Sequence, residues 1–545
     1  MPPQLNPDAA GRGGLLLSLL LLAALTAVVL STRPLSPIDE TRYVGVAWEM
    51  WLRGDFLVPF KNGEPYSHKP PLLFWMIHAG WALFGVNDTW PRLVLPLFSA
   101  VALVLTFLLA RRLWPQQHAL GGQAALILAS SLLWMVFSTA LMFDVMLAFW
   151  VLLGLHGVLA ASAGRWHGFI LLAIAIGLGM LTKGPVVLLN LLPVAVLAPW
   201  WHPGLPQSAQ PVNDRIRWGR WFAGLGLAVL AGVAITLAWA IPAGLAGGEA
   251  YRNAIFWGQT ADRMVESFAH ARPFWWYLPL LPLLLFPWCV WPGLWQALAH
   301  HRARGLDRGT RFCLAWMLPV FIALMFISGK QPHYLLPLFP AFALLAARVL
   351  ADRPAHRVGV PAALVAALGV ALVAAGSGRF VALQDQVAAW PPLWPGALLV
   401  LLGVTSWAAG RRGVPATLNL ALLSTFMLML VQWVLLHTLS PRYDIEPMAQ
   451  AIKQVQDAGG QVAHAGKYHA QYQFAGRLQA PLPELHGGEL PRWLAAHPDG
   501  FVVMYPEHSR NRDAIAAHHR QAYRGGLAVL ADARAAAGLL AVQGE

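Results

Sequence analysis

DETRYVGVAWEMWLRGDFLVPFKNGEPYSHKPPLLFW (residues 39–75) is a charge-bearing stretch set between apolar runs. Its first half has helical spacing: Val44, Ala47, Trp48, Trp51 and Leu52 fall at i, i+3, i+4, i+7 and i+8, and Gly54 supplies a stop. The spacing predicts a helix lying in a membrane interface, with its tryptophans at headgroup depth. Its N-terminal end carries Asp39, Glu40, Arg42 and Tyr43. A second helix is predicted to begin at Pro70–Pro71, where a missing N–H costs nothing, and to end before Gly85.

The sequence on either side explains why an interface is at issue. The chain has 545 residues, of which 57% are hydrophobic and 12% charged, with a mean hydropathy of +0.54. Soluble domains carry about 25% charged residues. Thirteen apolar runs are long enough to cross a bilayer: 13–31, 91–113, 119–138, 141–163, 167–183, 185–201, 219–245, 273–297, 311–329, 332–350, 358–376, 393–409 and 415–438. The fold class expected is an all-α polytopic membrane protein of about 13 transmembrane helices with a small C-terminal α/β outer domain. The first run, Leu15–Leu30, lacks a small-x-small cleavage site before Arg33 and reads as a retained span.

The net charge is +13 and the isoelectric point about 10.2, but the placement of the cations argues against nucleic acid as a partner. Arg12, Arg111–Arg112, Arg165, Arg215/Arg217/Arg220, Arg302/Arg304/Arg308, Arg353/Arg357 and Arg411–Arg412 fall on one side of the array. By the positive-inside rule that side is cytoplasmic. The N-terminus is then cytoplasmic and the tail outside. The transmembrane domain is expected to cover 1–439, with long outer segments at 32–90 and 246–272, and the outer domain 440–545. Within the tail, GFVVMYP (500–506) alternates as a strand does, and helix-like pieces lie at 447–458 and 526–540. Cys289 and Cys313 fall in or near spans, without disulfide or metal spacing.

All six lysines, Lys61, Lys69, Lys183, Lys330, Lys453 and Lys467, fall on the outer side. Three precede prolines that should start helices: Lys69-Pro70, Lys183-Gly-Pro185 and Lys330-Gln-Pro332; Arg272-Pro273 is a fourth such cation. A helix N-terminus offers unpaired N–H groups and the positive end of its dipole, and an adjoining cation strengthens an anion site there. Interfacial lysines also snorkel without binding anything. Asp39 and Glu40 read equally as a helix N-cap pair and as carboxylates able to take a proton from an attacking group. Asp144, in LMFDVMLAF, interrupts an apolar run and needs a spatial partner or a watery cavity; a buried pair with an arginine is one reading and catalysis the other. His68 and His270 with a carboxylate form a candidate divalent-metal site, although a lone histidine is more often a hydrogen-bonded structural residue.

Five blocks, IDETRYVGVAWEMWLRGDFLVPFKNGEPYSHKPPLLFW, LMFDVMLAFW, GLGMLTKGPV, HARPFWWYLPLL and SGKQPHYLLPLFPA, occur in order over most of residues 36–341. They resemble the membrane glycosyltransferases of the GT-C fold that use polyprenyl-phosphate sugars, in particular the aminoarabinose transferases and bacterial protein-mannosyltransferase-like enzymes. The resemblance implies inverting transfer of a sugar from an undecaprenyl-phosphate-linked donor to lipid A, another glycan or a protein, at the periplasmic face of a bacterial inner membrane. By the same resemblance Asp39 matches a catalytic carboxylate, with Arg42 and Tyr43 in its motif. Lys69 matches a donor-phosphate lysine, Asp144 a second acidic position, and His270 a metal-binding histidine. Lys330 and Tyr334 belong to the phosphate-cavity block. The chain departs from the aminoarabinose pattern at His68, where those enzymes carry glutamate; losing that anion makes the local charge more positive. No dinucleotide fingerprint or Walker-type loop is present for a nucleotide sugar. Two other classes fit many spans and polar groups at depth: a lipid or polysaccharide transporter, expected to show broken midplane helices and related halves, and a scaffold whose outer domain binds a partner.

Overall fold

The computed structural model describes residues 7–202, 217–258, 271–302, 305–353, 355–377, 393–506 and 517–543. The chain divides into two compact units: Met1–Ser31, Arg92–Gly244 and Arg252–Val434 form one, and Thr32–Pro91, Leu245–Tyr251 and Leu435–Glu545 the other.

The first unit is helical. Among the described residues, nine helices are long and apolar enough to cross a membrane: Gly11–Thr32, Thr89–Leu113, Phe143–Ser162, Trp218–Ala246, Arg308–Phe326, Pro332–Asp352, Gly359–Gly376, Leu393–Arg411 and Ala416–Val434. The run at 119–138 is a pair, Leu120–Ala129 and Leu132–Ser138, bent by 71° at Ser130–Ser131. Side chains satisfy the backbone freed by the bend, as an apolar medium requires: Ser131 Oγ donates to Ile127 O at 2.7 Å, and Ser424 Oγ to Ser130 O at 2.9 Å. The runs at 167–183 and 185–201 form shorter helices, His167–Lys183 and Val186–Val196, the latter followed by a turn at Ala198–Trp201.

The run at 273–297 departs most from a regular span. It breaks into turns, a 3-10 turn at Leu278–Leu280, a single turn at Leu281–Leu284 and a helix only from Pro292 to Arg302. Pro273, Pro279, Pro282, Pro287 and Pro292 recur too often for an i→i−4 ladder to establish itself. Glycines set the closest helix contacts. A Cβ on Gly157 would stand 2.7 Å from Gly168 O, and one on Gly369 2.5 Å from Gly396 O, so these backbones meet as small-residue membrane interfaces do.

In the second unit, helix Asp39–Arg53 ends at Gly54 with φ 63°, the left-handed conformation that glycine adopts without strain. Helix Leu72–Phe84 follows a Pro71 cap. Both agree with the sequence spacing, but the tryptophans meet protein. The Trp48 indole donates to Leu478 O at 3.0 Å, and Trp81 stacks on Phe474 with centroids 5.3 Å apart. Between the two helices, Phe60–Lys61 pairs with Glu64–Pro65 around Asn62 and Gly63. Asn62 clamps the tail by donating to Leu482 O and accepting from Leu482 N, both at 2.8 Å. Lys61 Nζ donates to Tyr468 O at 2.9 Å.

The tail forms a five-stranded sheet in the order Glu484–Leu485, Val462–Ala465, Phe501–Met504, Gly526–Asp532, His519–Tyr523; the first two pairings are parallel and the last two antiparallel. Alternate residues serve opposite faces. Val462, Val503 and Leu530 pack with Met448, Ile452 and Val455 of helix Glu446–Asp457, whereas Ala463, Val502, Val529 and Ala531 pack with Leu490, Leu494 and Ala536. The strand at 501–504 and the helix near 447–458 are as the sequence indicated. The piece at 526–540 is corrected: Gly526–Asp532 is a strand and the helix is Ala533–Gln543. GLAVLAD is paired on both edges and apolar on both faces, so its periodicity of two is masked and its alanine and leucine suggest a helix.

Candidate active site

In the second unit the candidates gather at the start of helix Asp39–Arg53. Arg42 forms an ion pair with Asp39, whose side chain is 51% exposed, and the Tyr43 hydroxyl lies 3.5 Å from the same Asp39 Oδ1. Burial first, and the Asp39 carboxylate next, push the Tyr43 hydroxyl well above its ordinary pKa. It therefore stays protonated as a donor. Glu40 is used differently: Arg33 grips both its oxygens at 2.7 and 2.8 Å and the Ser36 N–H donates at 2.8 Å, with the carboxylate buried. Three donors on Glu40 fasten the segment entering the helix, whereas half of Asp39 faces outward. Lys69 is half-buried beside exposed His68, whose ring lies 5.4 Å from that of buried Tyr66.

In the first unit Asp144 is the second residue of helix Phe143–Ser162, and Lys183 the last of helix His167–Lys183. Each charge sits at the helix end whose dipole favours it. The two form a direct ion pair, with side-chain exposures of 2% and 15%. The partner that Asp144 requires is thus a lysine; an arginine partner is not what the fold supplies. The Lys183 ammonium also lies 4.5 Å from the centroid of the Tyr334 ring, a cation–π placement. His333 Nε2 stands 4.0 Å from Asp144 Oδ2. Sequence reading passed over His333, although it adjoins Tyr334 in the same polar-dense KQPHY segment.

Lys330 is 3% exposed and donates to Arg272 O at 3.2 Å and to Ile327 O. Two of its three donors therefore hold backbone. Tyr277 Oη donates to Gln331 O at 3.1 Å, and Arg272 N to Ser328 O at 3.1 Å, tying 271–277 to 327–331. Helices do begin after Pro71, Pro185 and Gln331. Pro273 is corrected: turns follow Arg272, because the prolines beyond it remove successive donors. Arg272 itself is exposed.

His270 lies outside the described residues. Among the described residues no group of three or more His, Cys, Asp or Glu side chains is placed to hold a metal ion. Around His68, too, the described residues include no such group.

The fold matches solved structures over nearly its whole length. ArnT from Cupriavidus metallidurans in the apo state superposes with a TM-score of 0.72 at 20% identity, covering 96% of this chain and 99% of that one. The same protein bound to undecaprenyl phosphate gives 0.71 at 21%, covering 95% and 98%. With its spans and its sheet-bearing tail, the chain is a polytopic membrane glycosyltransferase of the GT-C fold. The family model for dolichyl-phosphate-mannose-protein mannosyltransferase matches residues 68–207. A protein of Pseudomonas aeruginosa named undecaprenyl phosphate-alpha-4-amino-4-deoxy-L-arabinose arabinosyl transferase is 34% identical over 407 residues, 72% of this chain and 70% of its own. Its namesake in Pseudomonas paraeruginosa is 30% identical over 512 residues, 92% and 89% of the two chains. The chain belongs to this family of arabinosyl transferases.

Proposed function

We propose that this enzyme transfers 4-amino-4-deoxy-L-arabinose, with inversion, from undecaprenyl phosphate to lipid A at the periplasmic face of a bacterial inner membrane. Support for the donor comes from the relatives of shared family, and for the orientation from the arginine-rich side of the array. The observation that carries the mechanism is Asp39: a half-exposed carboxylate steered by a cation and by a hydroxyl that stays protonated.

In this reading Asp39 accepts the proton of the attacking acceptor hydroxyl as the new glycosidic bond forms. The bond from the anomeric carbon to the phosphate oxygen breaks, and the departing lipid phosphate takes both electrons. Negative charge grows on that oxygen, and fixed cations stabilise it without reorganising. Lys69, half-buried, and Arg272, exposed, are assigned this task for their cationic heads and for the family resemblance at Lys69. Arg42 and Tyr43 set the base. Lys183, Lys330 and Tyr334 shape and rigidify the phosphate side through Asp144 and backbone carbonyls, and Glu40 anchors the segment before the helix. The tail and residues 32–91 act as the outer part of the enzyme.

The test is a proteoliposome assay with lipid A and undecaprenyl phosphate-aminoarabinose, read by mass spectrometry for the gain of one sugar residue. Asp39→Asn and Lys69→Ala should each lower turnover by about 100-fold or more, the usual scale for losing a general base or a charge-stabilising donor. Full turnover in both variants, at normal expression, overturns the site. Translocation of labelled lipid without sugar transfer returns the transporter reading, and a sugar found on protein replaces the acceptor.

A further inference from the structure

The tail turn at residues 468–472 rests on helix Asp39–Arg53, and both belong to the second unit. A Cβ on Gly45 would stand 2.7 Å from Ala470 O, and Lys61 Nζ donates to Tyr468 O at 2.9 Å. Asp39, Arg42 and Gly45 follow one another at spacings of three, so they share a helix face. The tail turn therefore crosses that face just beyond Arg42 and leaves Asp39 half exposed. His469 stands at this border. Arg42, Lys61 and Lys467 act on its ring as cations, against Glu484 as an anion.

A buried polar network holds the turn from behind. His464 Nδ1 lies 3.1 Å from Gly466 O, which only accepts, so Nδ1 carries the proton and Nε2 accepts from the Tyr505 hydroxyl at 3.1 Å. The Tyr505 oxygen then accepts from Gln471 Nε2 at 3.0 Å and from the Tyr472 hydroxyl at 2.9 Å. Gln471, itself buried, spends its other end on the His469 N–H at 3.0 Å. Ala470 keeps φ 57°, a left-handed conformation that persists in a non-glycine residue only where its surroundings over-determine it. The backbone on both sides of His469 is thus fixed. Its half-buried ring makes no hydrogen bond among the described residues, and exposed Lys467 makes no ion pair among them.

We infer, given the transfer proposed above, that the tail completes the acceptor side of the site, with His469 as the residue that meets an anionic group of the acceptor. A ring held this firmly, with its own polar edge unspent, is set for a partner from outside the chain. The local field selects that partner's charge: three cations outweigh Glu484, so an anion is drawn in and a cation turned away. Burial first, and these cations next, lower the His469 pKa to about 4, so the ring is neutral in the empty site and offers one N–H. An arriving anion offsets the repulsion from the cations and strengthens that contact. With inversion, the acceptor and the departing phosphate lie on opposite sides of the anomeric carbon. Groups flanking the base Asp39 through Arg42 therefore face the acceptor, whereas Lys69 and Arg272 serve the donor. Gln471 and Tyr505 act through His469 as positioning residues.

The test is the proteoliposome assay with lipid A as the probe acceptor, KM being measured separately for acceptor and donor. His469→Ala should raise the KM for lipid A by about 10-fold, the scale of one hydrogen bond to a charged group, and His469→Glu should raise it further. The effect should fall on KM rather than kcat and spare the donor KM. His469→Arg should restore the acceptor KM, because a cation still meets the anion. Tyr505→Phe, which deletes the hydroxyl holding Gln471, should raise the same KM and add nothing to His469→Ala when the two are combined; additive losses would mean that Tyr505 does not act through His469 and would overturn its positioning role. The rise should appear in vesicles of phosphatidylcholine alone. A rise seen only with phosphatidylglycerol present assigns the anion to a bulk lipid headgroup and overturns the proposal. So does an acceptor KM unchanged in both His469→Ala and His469→Glu while Asp39→Asn is inactive. Full turnover in Asp39→Asn instead fails the site itself, and this role of His469 with it.

Discussion

At the scale of single residues, the polar groups divide by what already occupies them. Asp144, Lys183 and Lys330 look alike in sequence as charges at membrane depth, the two lysines just before prolines. The first two neutralise each other, and the third is spent on carbonyls. Pairing across 39 positions leaves no periodic trace, which is why the partner of Asp144 was illegible while its need for one was plain. Breaking a buried pair strands a charge and costs about 3–5 kcal/mol, whereas replacing both partners by apolar groups is often neutral. Asp144→Asn alone should therefore lower the unfolding temperature in detergent well below that of the double variant Asp144→Leu/Lys183→Met. On the proposed role the double variant should be stable and lack transferase activity. A double variant that is stable and active assigns the pair to the fold alone.

At the scale of elements, local rules sufficed where a segment carries its own punctuation. Gly54 stops its helix and Pro70–Pro71 precede the next one, so both helices were readable within a residue or two. Reading failed where context decides, as in the doubly paired strand Gly526–Asp532 and the proline-dense run from Pro273. Trp48 and Trp51 suggested lipid because a half-apolar helix bears no mark of whether protein or membrane covers it; residues 474–478 cover Trp48. That packing depends on Gly45, where a Cβ would stand 2.7 Å from Ala470 O. Backbone cannot swing aside as a side chain can. Gly45→Ala should cost about 1–3 kcal/mol, the range for overpacking, and raise amide exchange in both 39–53 and 468–482. Unchanged exchange in the second stretch would show that the contact is dispensable.

At the scale of the whole molecule, composition and arginine bias announced a membrane array, and the five ordered blocks its family, because both are summed over hundreds of residues. How the tail is stabilised was not legible. His464 is buried with its ring between Gly466 O and Tyr505 Oη, each at 3.1 Å, and burial first of all lowers its pKa to about 4. His469 is lowered to about 4 as well, by burial and then by Arg42, Lys61 and Lys467. Unfolded, both rings take up protons below about 6.5. Between about 6.5 and 4 the unfolded state binds more protons, so stability must fall as pH falls through that window and level off below it. For His464 the full loss is at most about 3 kcal/mol. Exchange protection of strand Val462–Ala465 in the full chain should decline from pH 7 to pH 4, and His464→Gln should flatten the decline; a flat profile in the unaltered protein would refute it. The discontinuity of this unit has a further consequence, for biogenesis. Its first portion ends at Pro91 and its last begins at Leu435, roughly 340 residues later on the ribosome. At about 5–20 residues per second, the early hairpin and helices emerge roughly 20–70 s before the tail, whose residues 474–482 cover Trp48 and Asn62. For that interval a nascent apolar surface waits uncovered, a natural client for a chaperone stationed beside the translocation machinery.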